Sequence, residues 1–387
     1  MLSFHAPLPL SLYIHFPWCV RKCPYCDFNS HEAPGTIPEA AYVDALLADL
    51  QQELPAVWGR PIQSIFIGGG TPSLMSPEGL ERLLSQLRAL LGFPPQIEIT
   101  LEANPGTVEQ QRFAEFRAAG VNRLSIGIQS FDGEKLRALG RIHGRAEALR
   151  AAEAAHGAGF DNFNLDLMFG LPGQEEAQAL ADLRQAIALA PAHISWYQLT
   201  IEPNTAFAHA PPVVPEDEVL WVMQEHGQET LAAAGYVQYE VSAYAREGAR
   251  CRHNLNYWQF GDYLGIGPGA HGKITLPAEG RVVRSWKQRH PQKYLDTAGS
   301  GAVVAGRREL GREDLALEFM MNALRLREGF DSRLFQEHTG MPLTVVSRPL
   351  ERAQELGLLE WQPLRIVPTE RGRNYLNELL QLFMPEE

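Results

Sequence analysis

Three things are scarce in this sequence, and each scarcity excludes a class of protein. No apolar run approaches the roughly 18 residues that a membrane-spanning helix needs, so no such helix is expected. Basic charge is in deficit: 34 Lys and Arg stand against 46 Asp and Glu, a net charge of -12. Wide nucleic-acid contact requires basic patches to neutralise phosphates, and this balance argues against it. Cysteine is limited to four residues in 387, too few for the disulfide framework of a secreted scaffold. The opening MLSFHAPLPL has no basic segment before its apolar residues and no small-residue cleavage site, so a cytoplasmic location is expected. Internal repeats and low-complexity tracts are also missing. The 45% of hydrophobic residues is enough for an ample core, in one large domain and one smaller one.

The few cysteines are not scattered. Cys19, Cys23 and Cys26 form C-x3-C-x2-C inside FPWCVRKCPYCDF, and only Cys251 lies elsewhere. A 4Fe-4S cluster takes a thiolate on each of four irons, so three local thiolates leave one iron open for a ligand. Zinc is the first alternative, with His15 or His31 as fourth ligand, although no second C-x2-C pair is present to complete a usual zinc ribbon or finger. A disulfide plus one free thiol is the second, and it requires an oxidising compartment.

Apolar runs alternate with helical patterns from residue 10 to about 240. The runs Leu10–His15, Ile62–Ile67, Gln96–Leu101, Arg123–Ile128, Asn162–Leu167 and His193–Leu199 predict strands buried on both faces. Thr36-Ile-Pro-Glu39 reads as a capping box opening a helix to about Glu53, and Ser76-Pro77 opens a second. Gly120 and Gly159 follow helical runs, where left-handed caps are wanted. A βαβα series of this length predicts a parallel sheet, open or curled into a barrel. The rhythm breaks near residue 240. Tyr239–Tyr244 reads as one more strand, Cys251–Lys273 as an aromatic, Gly-rich region without helical period, and Thr297–Arg308 as a linker. Beyond it, Asp314–Leu326 predicts a helix, and the remainder a helix, a small hairpin and a final helix, winged-helix-like and serving packing.

Polar residues recur at the predicted strand ends. Gly68-Gly69-Gly70-Thr71-Pro72 follows the second strand, Glu102 and Asn104 the third, and Gln129 and Ser130 the fourth, while Asn164 and Asp166 mark the fifth. In parallel α/β folds the carboxyl ends of the strands converge on the ligand site. Carboxylates, amides and bare backbone at such a rim suit a ligand carrying amine and hydroxyl groups. The hexad Gly267-Pro-Gly-Ala-His-Gly272 matches G-x-G-x-x-G, but an extended Lys273-Ile-Thr-Leu follows it instead of a helix. It therefore fails as a dinucleotide site.

At this point LYIHFPWCVRKCPYCDF, followed by IFIGGGTPS, LEANPG, RLSIGIQSF, LGRIHG and NLDLMFGLPG, resembles the radical S-adenosylmethionine (SAM) superfamily. The order of these segments is that of the oxygen-independent coproporphyrinogen III dehydrogenase family, and the likeness is greatest to its branch of proposed heme chaperones. It covers essentially the whole chain. The resemblance implies an α/β fold, an incomplete parallel (β/α) barrel with a small, mostly helical C-terminal domain. The expected divisions are a core barrel at 8–240, an extension at 241–305 and the C-terminal domain at 306–387. Cys19, Cys23 and Cys26 would ligate a 4Fe-4S cluster whose open iron chelates SAM. Tyr13, Gly69, Gly70, Thr71, Glu102, Gln129, Arg141 and Asp166 match SAM-contacting positions, with Asp166 the ribose partner.

Two features separate the branches. The dehydrogenases carry a further cysteine two positions after the third, where this chain has Phe28. That departure puts coproporphyrinogen III decarboxylation in doubt. His253-Asn254-Leu-Asn-Tyr257-Trp258 matches the H-N-x-x-Y-W motif associated with heme in the chaperones, which makes His253 the expected heme ligand. Cys251 and His271 are lesser candidates. The resemblance implies heme as cargo and an apo-hemoprotein acceptor, respiratory and at the membrane. It leaves a homodimer and the need for SAM cleavage open.

Overall fold

The computed structural model describes residues 2–33 and 35–384, excluding the side chains of 107–109. Twelve strands form one sheet. In chain order they are β1 (Leu10–Phe16), β2 (Ile62–Gly69), β3 (Glu98–Ala103), β4 (Arg123–Gln129), β5 (Phe163–Phe169), β6 (His193–Gln198), β7 (Val237–Glu240), β8 (Ala243–Ala245), β9 (Asp262–Ile266), β10 (His271–Leu276), β11 (Arg281–Lys287) and β12 (Val304–Glu309). Their spatial order is β12-β11-β10-β9-β1-β2-β3-β4-β5-β6-β8-β7. The run from β9 through β1 to β6 is parallel throughout, and antiparallel strands extend it at both sides. The two terminal strands do not pair with each other, so the barrel is incomplete.

Helices α1 (Glu39–Val57), α2 (Pro77–Leu90), α3 (Thr107–Ala119), α4 (Arg145–Gly157), α5 (Glu176–Ala188) and α6 (Asp217–Ala233) provide the crossovers. Their starts and stops follow local chemistry. The Ser76 hydroxyl accepts the Gly79 N–H at the head of α2, and Gly120, at φ +118°, caps α3 in the left-handed conformation that glycine tolerates. The Thr36 capping box does not form. Helix α1 begins only at Glu39, with Pro38 at its cap position and no side-chain cap bond.

Alternation along the strands differs from the expectation of two apolar faces. On β1, Leu10, Leu12, Ile14 and Phe16 pack into the main core with the helices, while Ser11, Tyr13 and His15 belong to the opposite face. On β3 the outward set is Ile99, Leu101 and Ala103, and the inward set Glu98, Thr100 and Glu102. The inward residues bond between neighbouring strands: Ser11 with Ser64 (2.8 Å), Ser125 with Asp166 (3.0 Å), Asn164 with Ser125 (2.8 Å) and His193 with Asn164 (2.7 Å). The interior is thus polar and hydrogen-bonded, unlike a barrel filled with branched aliphatic layers.

Three later segments depart from the sequence reading. Tyr239–Tyr244 is split between β7 and β8. The region read as lacking helical period contains α7 (Arg252–Trp258), followed by β9 and β10. Its cap is remote: the Glu98 carboxylate on β3 accepts the N–H groups of Arg252 (2.9 Å) and His253 (3.2 Å). The expected linker Thr297–Arg308 runs into β12, which pairs with β11 along its length. A second core follows, centred on α8 (Arg312–Ala323) and the hairpin of β14 (Leu359–Gln362) and β15 (Arg365–Pro368), with the short β13 (Phe330–Asp331) beside it. Leu2 and Phe4 pack against this second core.

Candidate cluster and ligand site

The carboxyl ends of β2 to β6 and the cysteine loop surround a cavity of about 430 Å³. Cys19, Cys23 and Cys26 line it together with Gly69, Gly70, Thr71, Glu102, Gln129, Arg141 and Asp166. Eleven of the twelve residues matched by resemblance or spacing therefore divide simply: ten share this wall, and Tyr13 stands off it. The Tyr13 hydroxyl bonds His15 Nδ1 (3.0 Å), and its ring stacks on Phe66 with centroids 6.3 Å apart. His253 is the twelfth and lies elsewhere.

All four cysteines are free thiols. No group of three His, Cys, Asp or Glu among the described residues converges closely enough to hold a single metal ion. A zinc site needs four ligands around one point, whereas a cubane distributes its thiolates over different irons. The donor set fits the cubane. Burial pushes the Cys19 and Cys26 thiols up, so they carry protons until a metal displaces them.

A polar chain ties two of these cysteines together. The Arg141 guanidinium approaches Cys23 Sγ (3.7 Å) and donates to Asn104 Oδ1 and the Gly127 carbonyl (both 2.7 Å). Asn104 Nδ2 then donates to Thr71 Oγ1 (2.9 Å), and the Thr71 hydroxyl reaches Cys19. The half-buried Arg141 cation beside Cys23 would offset the negative charge of thiolates there. Gln129 owes its place to a bulge: the register slips between Gly127 and Gln129, whose φ of 68° is in the left-handed region. Bulges re-aim side chains at such rims, and the Tyr197 hydroxyl holds this one by donating to Gln129 Oε1 (2.9 Å).

The cavity carries two half-buried carboxyl groups. Burial and the neighbouring Asp166 push Glu102 up to about 8, although Glu102 accepts the Gly69 N–H at 3.0 Å. Asp166 is also raised by burial, opposed by bonds from Asn164 (2.8 Å) and Ser125 (3.0 Å). Such a pair favours a ligand that brings positive charge and hydroxyl donors. Glycine at position 70 lets this turn seat against the start of the cysteine segment: a Cβ there would lie 2.5 Å from the Trp18 carbonyl oxygen.

Not every residue singled out by sequence joins the site. The Ser130 hydroxyl turns to Asp182 (2.6 Å), and Asn164 belongs to the barrel interior below, with His193 and Ser195. Ser125, Ser195 and Tyr197 line the cavity but escaped notice. Their signal was the alternation of polar residues within β4 and β6, masked by the neighbouring Ile, Leu and Trp. His253 is only 3% exposed and sits on α7, toward the amino end of the barrel; its neighbour Asn254 lines the cavity. Its Nδ1 meets the Ser64 hydroxyl (3.1 Å), its Nε2 is buried without a partner, and Phe66, Tyr13 and Tyr257 surround the ring.

Residues 13–186 match the model of the radical SAM superfamily, and residues 310–375 that of the HemN C-terminal domain. The chain superposes on the radical SAM enzyme coproporphyrinogen III oxidase (HemN) of Escherichia coli with a TM-score of 0.82, covering 97% of this chain and 90% of that one. At 22% identity that likeness concerns the fold. The chain belongs to the radical SAM superfamily, and membership implies a 4Fe-4S cluster and SAM.

Within it, the heme chaperone HemW of Escherichia coli is 52% identical over 383 residues, 98% of this chain and 99% of the relative. HemW of Mycobacterium tuberculosis is 36% identical, covering 94% and 92%. A mitochondrial radical SAM domain-containing protein of Bos taurus is also 36% identical, covering 90% and 81%. The chain is thus a member of the HemW family. Among the described residues, no helix is long and apolar enough to cross a membrane.

Proposed function

We propose that the protein is a heme chaperone that binds heme and hands it to an apo-hemoprotein, with the three-cysteine loop carrying a 4Fe-4S cluster and the cavity holding SAM. The observation that carries this reading is the full-length identity to HemW proteins, supported by Phe28 at the position where dehydrogenases have cysteine. When bound, the cluster supplies the electron for reduction of the SAM sulfonium. This chain's residues provide the setting: Arg141 sits against Cys23, Gln129 and Asp166 present acceptors, and Glu102 gives up its proton when a cation arrives.

His253 is the proposed heme ligand. Burial, with Arg123 nearby, pushes its pKa down to about 3, which leaves the neutral imidazole that binds iron. Because the ring is enclosed, ligation requires α7 to move off Phe66 and Tyr13. The reading places the protein in the cytoplasm, with a respiratory acceptor at the membrane, and accommodates a homodimer.

The test is heme titration of anaerobically reconstituted protein, wild type against His253→Ala, followed by transfer to an apo-hemoprotein. A loss of affinity of tenfold or more, about 1.4 kcal/mol, is expected in the variant. Unchanged stoichiometry and affinity would overturn the site. Formation of protoporphyrinogen IX from coproporphyrinogen III would overturn the chaperone reading itself.

A further inference from the structure

The Gly267-Pro-Gly-Ala-His-Gly272 hexad has no dinucleotide to bind, yet its backbone is placed with care. It links the parallel strand β9 to the antiparallel strand β10 and comes up against the cysteine loop. From this geometry we infer that the turn is the seat of the cysteine loop, and that Asn29 is the positioning residue fastening one to the other. The inference rests on the reading of Cys19, Cys23 and Cys26 as cluster ligands.

Asn29 stands three residues beyond Cys26. Its amide nitrogen spends both hydrogens on remote carbonyls, Pro268 (2.9 Å) and Arg289 (2.8 Å). Its own backbone carbonyl meets His15 Nε2 (2.9 Å), and His15 Nδ1 meets the Tyr13 hydroxyl (3.0 Å). One residue therefore joins the loop, the turn, the segment after β11 and the inward face of β1.

The two glycines permit this approach. Gly269 has φ +75°, and a Cβ there would lie 2.6 Å from Asn29 Nδ2. Gly267 has φ +103°, and a Cβ there would strike the His15 carbonyl oxygen. Both positions combine a left-handed backbone with a close neighbour, which is the combination that only glycine meets without strain.

The seat itself is rigid. The Gly267 N–H donates to the Tyr294 hydroxyl (3.0 Å), which donates to Asp49 Oδ2 (2.8 Å). Lys287 Nζ lies between Asp49 (2.5 Å) and Glu53 (2.6 Å), all three buried. The Lys287 N–H donates to the Ala270 carbonyl, and the Gly269 N–H to the Gln288 carbonyl, both at 2.9 Å. On its own side the loop is closed by Lys22 on the Phe28 and Ser30 carbonyls (3.3 and 3.2 Å), by a Cys26-to-Cys23 turn and by a short parallel ladder of Trp18–Cys19 with His31–Glu32. Between Cys26 and that ladder, Asn29 is the residue whose side chain grips the turn.

The experiment uses the full-length protein, reconstituted anaerobically, as wild type, Asn29→Ala, Gly269→Ala and the double variant. Asn29→Ala should fold and take up iron. It should lose that iron to a chelator about tenfold faster or more, as the removal of two side-chain hydrogen bonds implies. The electron paramagnetic resonance signal of its reduced cluster should also change on addition of SAM in a way the wild type's does not. Gly269→Ala should reproduce the effect, and the double variant should be no worse than the stronger single one, since both break one contact. A chelation rate and a spectrum of Asn29→Ala equal to wild type would overturn the inference even if Gly269→Ala does not fold. Failure of the wild type to hold a cluster would instead overturn the reading beneath it.

Discussion

The two ends of the barrel are built from the same strands and do opposite things with polar groups. At the carboxyl rim, Glu102, Asp166, Gln129 and the three thiols keep protein partners but also line an open cavity, where a ligand can reach them. At the amino end, Glu98, Ser64, Asn164 and His193 are consumed by the protein, and α7 closes over them. Glu98 caps α7, Asn256 holds the Asp262 carbonyl (2.8 Å), and His193 spans Asn164 and the Tyr239 hydroxyl (2.8 Å). The difference shows how one pleated interior can serve as site and as structure. Polar groups enclosed by protein make a floor, and those open to the cavity make a binding surface. His253 is among the floor residues with a polar atom left over, as are Thr100, Arg123 and Trp258, and its imidazole is neutral.

The comparison is most severely tested at the cysteines. Replacing Cys19, Cys23 and Cys26 together with Ala should abolish cluster binding, taking reconstituted iron from about four per chain to near none. Thermal unfolding of the metal-free protein should change little, because these thiols support the rim alone. A large fall in metal-free stability would break the division between the two ends.

A smaller effect is expected at Glu102. Its folded-state pKa of about 8 exceeds that of an unfolded carboxylate, so the folded form binds the extra proton. Its contribution to stability is fully present below the ordinary carboxylate range and is lost as pH rises toward 8. Glu102→Gln should therefore match wild type in melting temperature at pH 5 and exceed it by several degrees at pH 8.5. Wild-type affinity for a cationic ligand should climb with pH up to about 8, a dependence that the variant flattens. Equal pH dependence in both proteins would show that Glu102 does not titrate as a site group.

The least effect belongs to the floor. Glu98→Gln keeps the shape but removes the charge from the α7 cap, and should lower stability by about 1–2 kcal/mol in urea unfolding. Iron content and SAM binding should stay at wild-type levels. Loss of the cluster in this variant would show that floor and rim are energetically one unit.

The rim was the more legible end for a physical reason. Cys19, Cys23 and Cys26 act through local spacing, and Gly69, Glu102 and Gln129 fall where a strand ends, which periodicity locates. The floor is assembled across distance. The α7 cap comes from Glu98, 154 residues earlier, and the helix is too short and too aromatic to show a 3.6-residue period. β12 is hard to read because Val304–Glu309 holds two small residues and ends in three charged ones without alternation, as an outermost strand can. Gln129 was placed at the rim by its position alone, since no sequence pattern announces the bulge that turns it inward.

The unclosed sheet leaves two margins, and they are defended differently. β12 offers Arg307, Arg308 and Glu309 to solvent, a charged hem that discourages any further strand from joining. β7 has no such protection of its own. Instead the chain returns after α8: the Arg327 N–H donates to the Tyr239 carbonyl (3.0 Å), and Glu240 bridges to Leu326 beside the ion pair of half-buried Arg325 with buried Glu240. The C-terminal domain is therefore also a selvedge for the barrel. A chain ending before Leu310 would bare both this margin and the apolar floor of the second core, and stacking of one barrel's raw edge upon another's would be its natural fate.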